Sequence, residues 1–234
     1  MKKLNLKDVT PQILKGNIDG PNWYSGKGQD SFIKHIFDTI GTTNMFCVEF
    51  GGTDGHAASN TLYLNQTGWS RILFERNNQN PSINLFNENL TKENICSIFK
   101  KYNIPKIFDF LSVDVDGNDY WLLSALLEEF CPIVIMTEIN SRFDIHESVI
   151  MKYDKDYSWD GHSWYGASAY AFYLLGKKHN YSLVHTYKDE AFLIHNKYLH
   201  IDDQNLNIED VYQPTREIYH DHDLEINSTN FIYL

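Results

Sequence analysis

Short apolar runs and longer amphipathic segments alternate along the chain, and this alternation predicts its secondary structure. The apolar runs predicted as strands are 45–50, 70–75, 108–115, 132–140, 181–187 and 190–198. The segments with apolar residues at helical spacing, predicted as helices, are 30–40, 57–67, 92–103, 119–130 and 168–180. Because strands and helices alternate, the pattern predicts an α/β fold with a mostly parallel sheet and helices on both faces.

The two ends of the chain depart from this alternation. The last two predicted strands are separated by only a few residues, which predicts an antiparallel hairpin at one edge of the sheet. Residues 1–44 are polar and contain glycine breaks, so we expect an N-terminal extension of helix and loop. Residues 201–234 are acidic and rich in Asn, and they are interpreted as a tail, a lid or an arm of a homodimer. The central domain then covers residues 45–200.

Composition narrows the partners of this domain. The formal net charge is −11 and no basic block is present, which argues against a nucleic-acid partner. The first twenty residues lack a signal-peptide pattern, and no run approaches the roughly 18 apolar residues that span a bilayer. The sequence therefore predicts a cytoplasmic protein with no membrane partner.

A glycine-rich turn follows the first predicted strand. Its residues predicted to hold a ligand are Glu49, Gly51, Gly52, Asp54 and Gly55. Glycines allow a tight turn and a close approach of a ligand to the backbone. Glu75 ends the second predicted strand, about 20 residues past the turn, where an acid typically grips a ribose diol. Together, the turn and Glu75 predict a nucleoside-binding site.

The charge of Glu49 favours one class of nucleoside over another. The dinucleotide fingerprint is G-x-G-x-x-G, whereas this chain has E-x-G-x-x-x-G. An acid beside the glycines repels a pyrophosphate and attracts an ammonium or sulfonium centre. The sequence therefore favours S-adenosylmethionine over NAD, with an NAD-type oxidoreductase as the alternative.

The stretch VEFGGTDGHAASNTLYLNQTGWSRILFE resembles the first half of a class I S-adenosylmethionine-dependent methyltransferase. It is similar to the FkbM-type bacterial sugar O-methyltransferases, whose pattern VEFG-x-x-DG-x-x-x-SNT is followed by Gly-Trp and an acid-ended strand. The later stretches DFLSVDVDGNDYW and YGASAYAF are also similar, so the resemblance covers about residues 45–200. It implies a Rossmann-like domain over these residues, with Asn60 and Thr61 beside the cofactor.

The same resemblance implies an acceptor. It points to methylation of a sugar hydroxyl, on a free or nucleotide-linked sugar, for a bacterial capsule or another surface polysaccharide. His56, at the start of the second predicted helix, is then a candidate base for the acceptor hydroxyl. The alternative is that His56 only lines the turn.

The stretch FLSVDVDGNDYW places three acids after an apolar run. A calcium loop is excluded, because its glycine belongs at the sixth position and here stands fourth, and Ala125 occupies the place of the final acid. A D-x-D-G phosphatase, with Asp114 as nucleophile and Asp116 as acid, is a second alternative. Asn118 and Asp119 are interpreted as caps of the following helix.

We interpret Asp114 and Asp116 as part of the carboxyl edge of the sheet, where ligands bind in open α/β folds. Glu138 and Asn140 end the next predicted strand and reach the same edge. Two hypotheses stay open. Asp114, Glu138 and Asn140 bind Mg or Mn, since these oxygens are hard ligands. Alternatively, no metal is bound, Asp114 faces the cofactor, and Asp116 binds the acceptor or acts as catalytic base.

The segment 141–168 is long and aromatic, and we expect it to fold over this edge as a lid. Its candidate contact residues are His146, Tyr153, Trp159, His162 and Tyr165. His185 lies within a predicted strand and is interpreted as a core histidine.

Overall fold

A computed structural model of the chain describes residues 2–3, 21–159, 161, 165–204, 206–213 and 230–234. The described strands are β1 (Phe46–Phe50), β2 (Ser70–Glu75), β3 (Leu85–Asn87), β4 (Ile107–Val113), β5 (Cys131–Glu138), β6 (Val149–Met151), β7 (Tyr181–Tyr187), β8 (Glu190–His195) and β9 (Phe231–Tyr233).

The described helices are α1 (Gln29–Ile40), α2 (Leu62–Gln66), α3 (Ile95–Lys101), α4 (Asp119–Leu126), α5 (Ala169–Lys178) and α6 (Ile208–Val211). Single 3-10 turns lie at Pro81–Ile83, Asn196–Tyr198 and Ile201–Asp203. Within the part of the chain that the structure describes, every helix is too short or too polar to cross a membrane.

Seven strands form one sheet in the order β3-β2-β1-β4-β5-β8-β7. Strands β1 to β5 are mutually parallel, whereas β8 runs antiparallel to both β5 and β7. The predicted Rossmann-like sheet with an antiparallel hairpin at one edge is therefore confirmed. The strand order reverses between β1 and β4, which makes their carboxyl ends the switch point where ligands bind in such sheets.

Residues along each central strand alternate between two buried layers. On one face, Val48, Leu111 and Ile135 pack with the apolar sides of α3, α4 and α5. On the other face, Cys47 and Phe110 pack with α1. This two-sided burial explains why the strands read as continuous apolar runs rather than as alternating ones.

The predicted and observed elements differ most after the first strand. The predicted helix over 57–67 begins only at Leu62, since Ala58 has a left-handed φ of 54° and the next three residues bind a buried carboxylate described below. The short strands β3, β6 and β9 were not predicted, because three residues carry no readable period.

The division of the chain at residues 44 and 200 stays a prediction. The described parts outside 45–200 contact the central domain: α1 packs on the sheet, and β9 pairs antiparallel with β6. The remaining part of the predicted tail, lid or dimer arm, residues 214–229, lies outside the described residues.

His185 of β7 is fully buried among aromatic rings, as expected for a core histidine. Its ring lies near Phe32 of α1 and near Tyr187 and Phe192 of the hairpin. Neither ring nitrogen has a hydrogen-bond partner among the described residues, so only the neutral imidazole fits there. Burial lowers the pKa of His185 to about 4.

This depressed pKa predicts a loss of stability in mild acid. As the pH falls from about 6.5 to about 4, His185 becomes protonated in the unfolded chain but stays neutral in the folded one. This difference lowers the free energy of unfolding by about 3 kcal/mol. Carboxyls with raised pKa values act in the opposite direction, so the wild type must be compared with a variant. Urea unfolding of His185→Leu at pH 7 and pH 4.5 should show a smaller acid loss than the wild type. The surface substitution His200→Leu is the control and should lose as much stability in acid as the wild type. If His185→Leu also loses as much stability as the wild type, the lowered pKa of His185 is contradicted.

Candidate functional site

The carboxyl ends of four parallel strands surround a cavity of about 340 Å³, within the size range of ligand pockets. Segments following β1, β2, β3 and β4 form its walls, and a stretch of the segment after β5 covers one side. Its main lining residues are Gly51, Thr53, Glu75, Arg76, Asn77, Glu88, Asn89, Leu90, Asp114, Val115, Asp116, Asn118, Lys155, Tyr157, Ser158 and Trp159. The cavity therefore lies at the switch point of the sheet.

Gly51 brings the ends of β1 and β4 into direct backbone contact. Its φ is 71°, and a Cβ built on it would lie 1.8 Å from the carbonyl oxygen of Asp114. No other residue type fits so close to a backbone atom. Gly51 and Asp114 both line the cavity, so this contact fixes one of its corners.

Glu75 stands at the end of β2 on the cavity wall. Its Oε1 accepts the backbone N–H of Arg76 at 2.8 Å and that of Asn77 at 3.3 Å. These bonds fix the carboxylate, and no bond to Oε2 occurs among the described residues. A ligand in the cavity can therefore use Oε2 as an acceptor.

Glu49 lies away from the cavity wall, inside the protein. Its Oε1 accepts the backbone N–H of Asn60 at 2.8 Å, and its Oε2 accepts the hydroxyls of Ser59 (2.8 Å) and Thr61. Arg71 is buried close by, where it donates to the carbonyl of Gly55 at 3.1 Å. The protein itself thus satisfies this carboxylate, and Glu49 holds the segment 59–61 against β1.

The rest of the predicted turn residues also serve the turn itself. Gly55 has a left-handed φ of 76°, and a Cβ built on it would lie 2.7 Å from the Cδ1 of Ile83, so a larger residue there is strained and displaces that side chain. Asp54 accepts the backbone N–H groups of His56 and Ala57 at 2.8 Å each. His56 is exposed in a turn and not at the start of a helix, because α2 begins later.

The roles predicted for these turn residues remain untested. The described cavity wall does not include Glu49, Gly52, Asp54, Gly55, His56, Asn60 and Thr61. Their roles toward a cofactor or an acceptor stay predictions.

Acids from two neighbouring strands meet beside the cavity. Asp114, Asp116 and Glu138 each place a carboxylate oxygen so that all three atoms lie within 4.8 Å of one another. Asp116 adopts a left-handed φ of 60°, a strained conformation that is concentrated at functional sites. The side chain of Asn140 accepts the N–H of Arg142 at 3.0 Å and donates to the carbonyl of Tyr165 at 3.0 Å. Of the predicted metal ligands, the structure brings Asp114 and Glu138 together and adds Asp116.

The proximity of these acids alters their proton affinity. Burial raises the pKa of Asp114 to about 7, and Asp119 and Asp116 contribute to the rise. Burial also raises the pKa of Glu138 and of Glu190 well above the usual range, with Asp114 the next contributor to both. Repulsion between buried like charges is typical of functional sites, where a ligand or a proton relieves it.

The turn that carries these acids is held by Asp119. Its side chain is fully buried and accepts the backbone N–H groups of Val115 and Gly117, each at 2.8 Å. Asn118 occupies the N-cap position of α4, but its side chain does not cap the helix. It donates instead to the carbonyl of Asp154 at 2.7 Å, which ties the turn to the covering segment.

Residues 149–159, which we name the strap, cover one side of the cavity. Arg76 donates to the carbonyl of Tyr157, and the Tyr157 ring packs on Gly117 so closely that a Cβ there would lie 2.6 Å away. Trp121 donates to the carbonyl of Met151 at 2.8 Å. Trp159 lines the cavity yet is 50% exposed, so it stands at the cavity mouth.

Of the other residues predicted to belong to a lid, those that the structure describes are not part of the cavity wall. Tyr153 donates to Glu93 at 2.5 Å outside the cavity wall, and His146 lies 3.3 Å from Glu209. The rings of Tyr165 and Trp159 make an edge-to-face contact, with 6.2 Å between their centroids. His162 lies outside the described residues.

Tyr157 and Glu190 are among the residues of this region that the sequence did not single out. No sequence motif marks Tyr157 as a site residue, although it belongs to the aromatic segment that was expected to fold over the edge of the sheet. Glu190 was read only as the first residue of a strand. Its importance depends on its pairing with Glu138 in the β5–β8 register, which the sequence does not display.

The chain was compared with known proteins. No model of a known protein family matches it, and no curated protein matches it. The small RNA methyltransferase HEN1 is 12% identical over 73% of this chain, with a TM-score of 0.40. The CMeT domain of the citrinin polyketide synthase is 9% identical over 72% of this chain, with a TM-score of 0.38. This chain spans 25% and 51% of those two chains, and likenesses this weak carry no argument.

Substitution of Gly51 tests the contact at the switch point. Gly51→Ala should destabilise the fold by more than about 3 kcal/mol, since the added methyl meets a backbone oxygen that cannot move aside. Gly28→Ala is the matched control, with a left-handed φ of 95° and no atom within 4 Å of the new Cβ. It should cost only the left-handed strain, roughly 1–2 kcal/mol. Equal urea midpoints for the two variants would contradict the close contact.

Proposed function

We propose that this protein is an S-adenosylmethionine-dependent methyltransferase that uses the cavity at the switch point to hold its cofactor. The observation that carries the proposal is the joint position of Gly51, Glu75 and Asp114 around one cavity. An α/β sheet with β8 inserted antiparallel between β5 and β7 is consistent with a Rossmann-like methyltransferase fold. The acidic walls favour a cationic ligand over a pyrophosphate.

In this proposal different residues of the cavity bind different parts of the cofactor. Glu75 Oε2 accepts from the ribose diol, while Asn89 and Leu90 after β3 line the wall beyond it. Asp114 and Asp116 lie toward the reacting end, where their negative charge attracts a sulfonium. Tyr157 and Trp159 cover the ligand from the strap and exclude water.

Bound S-adenosylmethionine supplies the methyl group, and the protein must align an acceptor with it. Asp116 is the candidate base, because it is exposed at the cavity wall beside Asp114 and Glu75. Desolvation and the nearby Glu75 raise the pKa of Asp116, which makes its carboxylate a stronger base than that of an exposed aspartate. His56 stays the second candidate base, reached from the exposed side of the glycine turn.

We further propose a small polar acceptor, a sugar hydroxyl on a free or nucleotide-linked sugar, with O-methylation for a bacterial capsule or surface polysaccharide. The FkbM-type resemblance of the sequence supports this acceptor. The net charge of −11 and the acids around the cavity disfavour a nucleic acid. Action in the cytoplasm and a homodimer are parts of the proposal that rest on the sequence alone.

Cofactor binding tests the proposal directly. Isothermal titration with S-adenosylhomocysteine should show binding, and Glu75→Gln should weaken it about ten- to hundredfold by losing a charged acceptor for the diol. Glu129→Gln is the control, because Glu129 lies outside the described cavity wall and pairs with Lys100 at the surface. Absence of binding at millimolar ligand would remove the main claim.

Two competing activities give different results in the same samples. Tighter binding of NAD than of S-adenosylhomocysteine would indicate an oxidoreductase. Phosphate release from a phosphate ester, lost in Asp114→Asn, would indicate the D-x-D-G phosphatase. A protein that binds S-adenosylhomocysteine should show methyl transfer to sugar acceptors, and Asp116→Asn should abolish transfer but leave binding in place. Retention of full transfer in Asp116→Asn would exclude this residue as the base.

A further inference from the structure

Glu138 and Glu190 stand directly opposite each other in the antiparallel β5–β8 pair. Side chains of such a pair point to the same face of the sheet, and like charges placed there repel. Glu190 is only 4% exposed, and its Oε2 has no hydrogen-bond partner among the described residues. The Oε2 of Glu138 is likewise buried and without a partner. Two unsatisfied carboxylate oxygens therefore lie at one spot of the sheet edge.

A cation close to these acids, Lys27, is already engaged. Lys27 acts electrostatically on Asp114, Glu138 and Glu190. Its Nζ, however, donates to Asp189 at 2.9 Å. One ammonium that is paired with a separate carboxylate cannot neutralise the remaining acids. These acids must therefore gain protons or a further cation.

The spacing of the acids fits a metal ion. Asp114, Asp116 and Glu138 each offer an oxygen within 4.8 Å of the other two. Oxygens on opposite sides of one ion are separated by twice the metal–oxygen distance, about 4.2 Å for Mg and about 4.8 Å for Ca. Three hard oxygens at this spacing can therefore share one hard divalent cation. Glu190, opposite Glu138 in the sheet, adds a buried carboxylate oxygen without a partner among the described residues.

We propose that Asp114, Asp116 and Glu138 bind a hard divalent cation. The buried carboxylate of Glu190, opposite Glu138, strengthens the attraction for the ion without being one of its ligands. This set differs from the one expected from the sequence, since Asp116 takes the place of Asn140.

Binding of the ion stands on the geometry of the carboxylates alone. Its task, to hold an acceptor oxygen beside the cofactor, rests on the proposed function. With the ion bound, Asp116 is a ligand and not the base, which leaves His56 as the candidate base.

Manganese binding tests the site without any assay of activity. The full chain, freed of metal with EDTA, should bind Mn²⁺ saturably with about one ion per chain, followed by electron paramagnetic resonance of the free ion. Mg²⁺ should displace it. Glu138→Gln and Asp116→Asn should each weaken Mn²⁺ binding at least tenfold, and Glu190→Gln should weaken it by a smaller factor.

Two further variants separate this proposal from the proposed function. Glu75→Gln should keep Mn²⁺ binding while it loses S-adenosylhomocysteine affinity, and Glu129→Gln should keep both. Glu138→Gln should keep an unchanged circular dichroism spectrum, which excludes misfolding as the cause of lost Mn²⁺ binding. The cation site is overturned by absence of saturable binding at millimolar Mn²⁺, or by unchanged affinity in both Glu138→Gln and Asp116→Asn. Failure to bind S-adenosylhomocysteine, with Mn²⁺ binding intact, would instead overturn the proposed function alone.

Discussion

The site depends on how closely two backbone segments approach at the switch point of the sheet. Strands β1 and β4 are neighbours, and a glycine at the end of β1 lets its turn touch the carbonyl of Asp114. Because that contact leaves no space for a side chain, the glycine turn and the acidic turn hold a fixed relation to each other. Asp119 fixes the acidic turn from beneath through two backbone N–H groups, so the carboxylates of Asp114 and Asp116 project from a rigid base. The shape of the cavity follows from these constraints before any ligand enters.

Buried carboxylates occur here in two physically different situations. Glu49 is surrounded by donors, three of them from Ser59, Asn60 and Thr61, and its role is to shape the chain around it. Glu190 is buried just as deeply and Glu138 is half-buried, both beside other acids, and each retains an oxygen without a partner among the described residues. A satisfied buried charge is a structural element, whereas an unsatisfied one must gain a proton or a cation. This contrast separates the scaffold from the reactive edge more clearly than burial alone.

Much of the fold could be predicted from the sequence, because the central strands are buried on both faces and therefore read as apolar runs. The parallel order, the edge hairpin and the position of Glu75 at a strand end follow from that pattern. The contact of Glu49 to a ligand stays a prediction. The donors around its carboxylate, Ser59, Asn60 and Thr61, could not be inferred from the sequence, because only three-dimensional contacts reveal them. For the same reason the helix after the glycine turn was placed too early. Glu190 could not be recognised, since its significance arises from a cross-strand register.

The pairing of β6 with β9 has a consequence for the order in which the molecule is assembled. The strap gains its backbone partners from Phe231–Tyr233, a segment that leaves the ribosome after every strand of the main sheet. Domains generally begin to fold from the N-terminal side during synthesis, and contacts between distant residues form slowly. The sheet and its acidic edge can therefore form while the strap still lacks its partner strand. Completion of the cover then becomes a late step in biogenesis, and a nascent chain exposes its carboxylates to solvent until that step is reached.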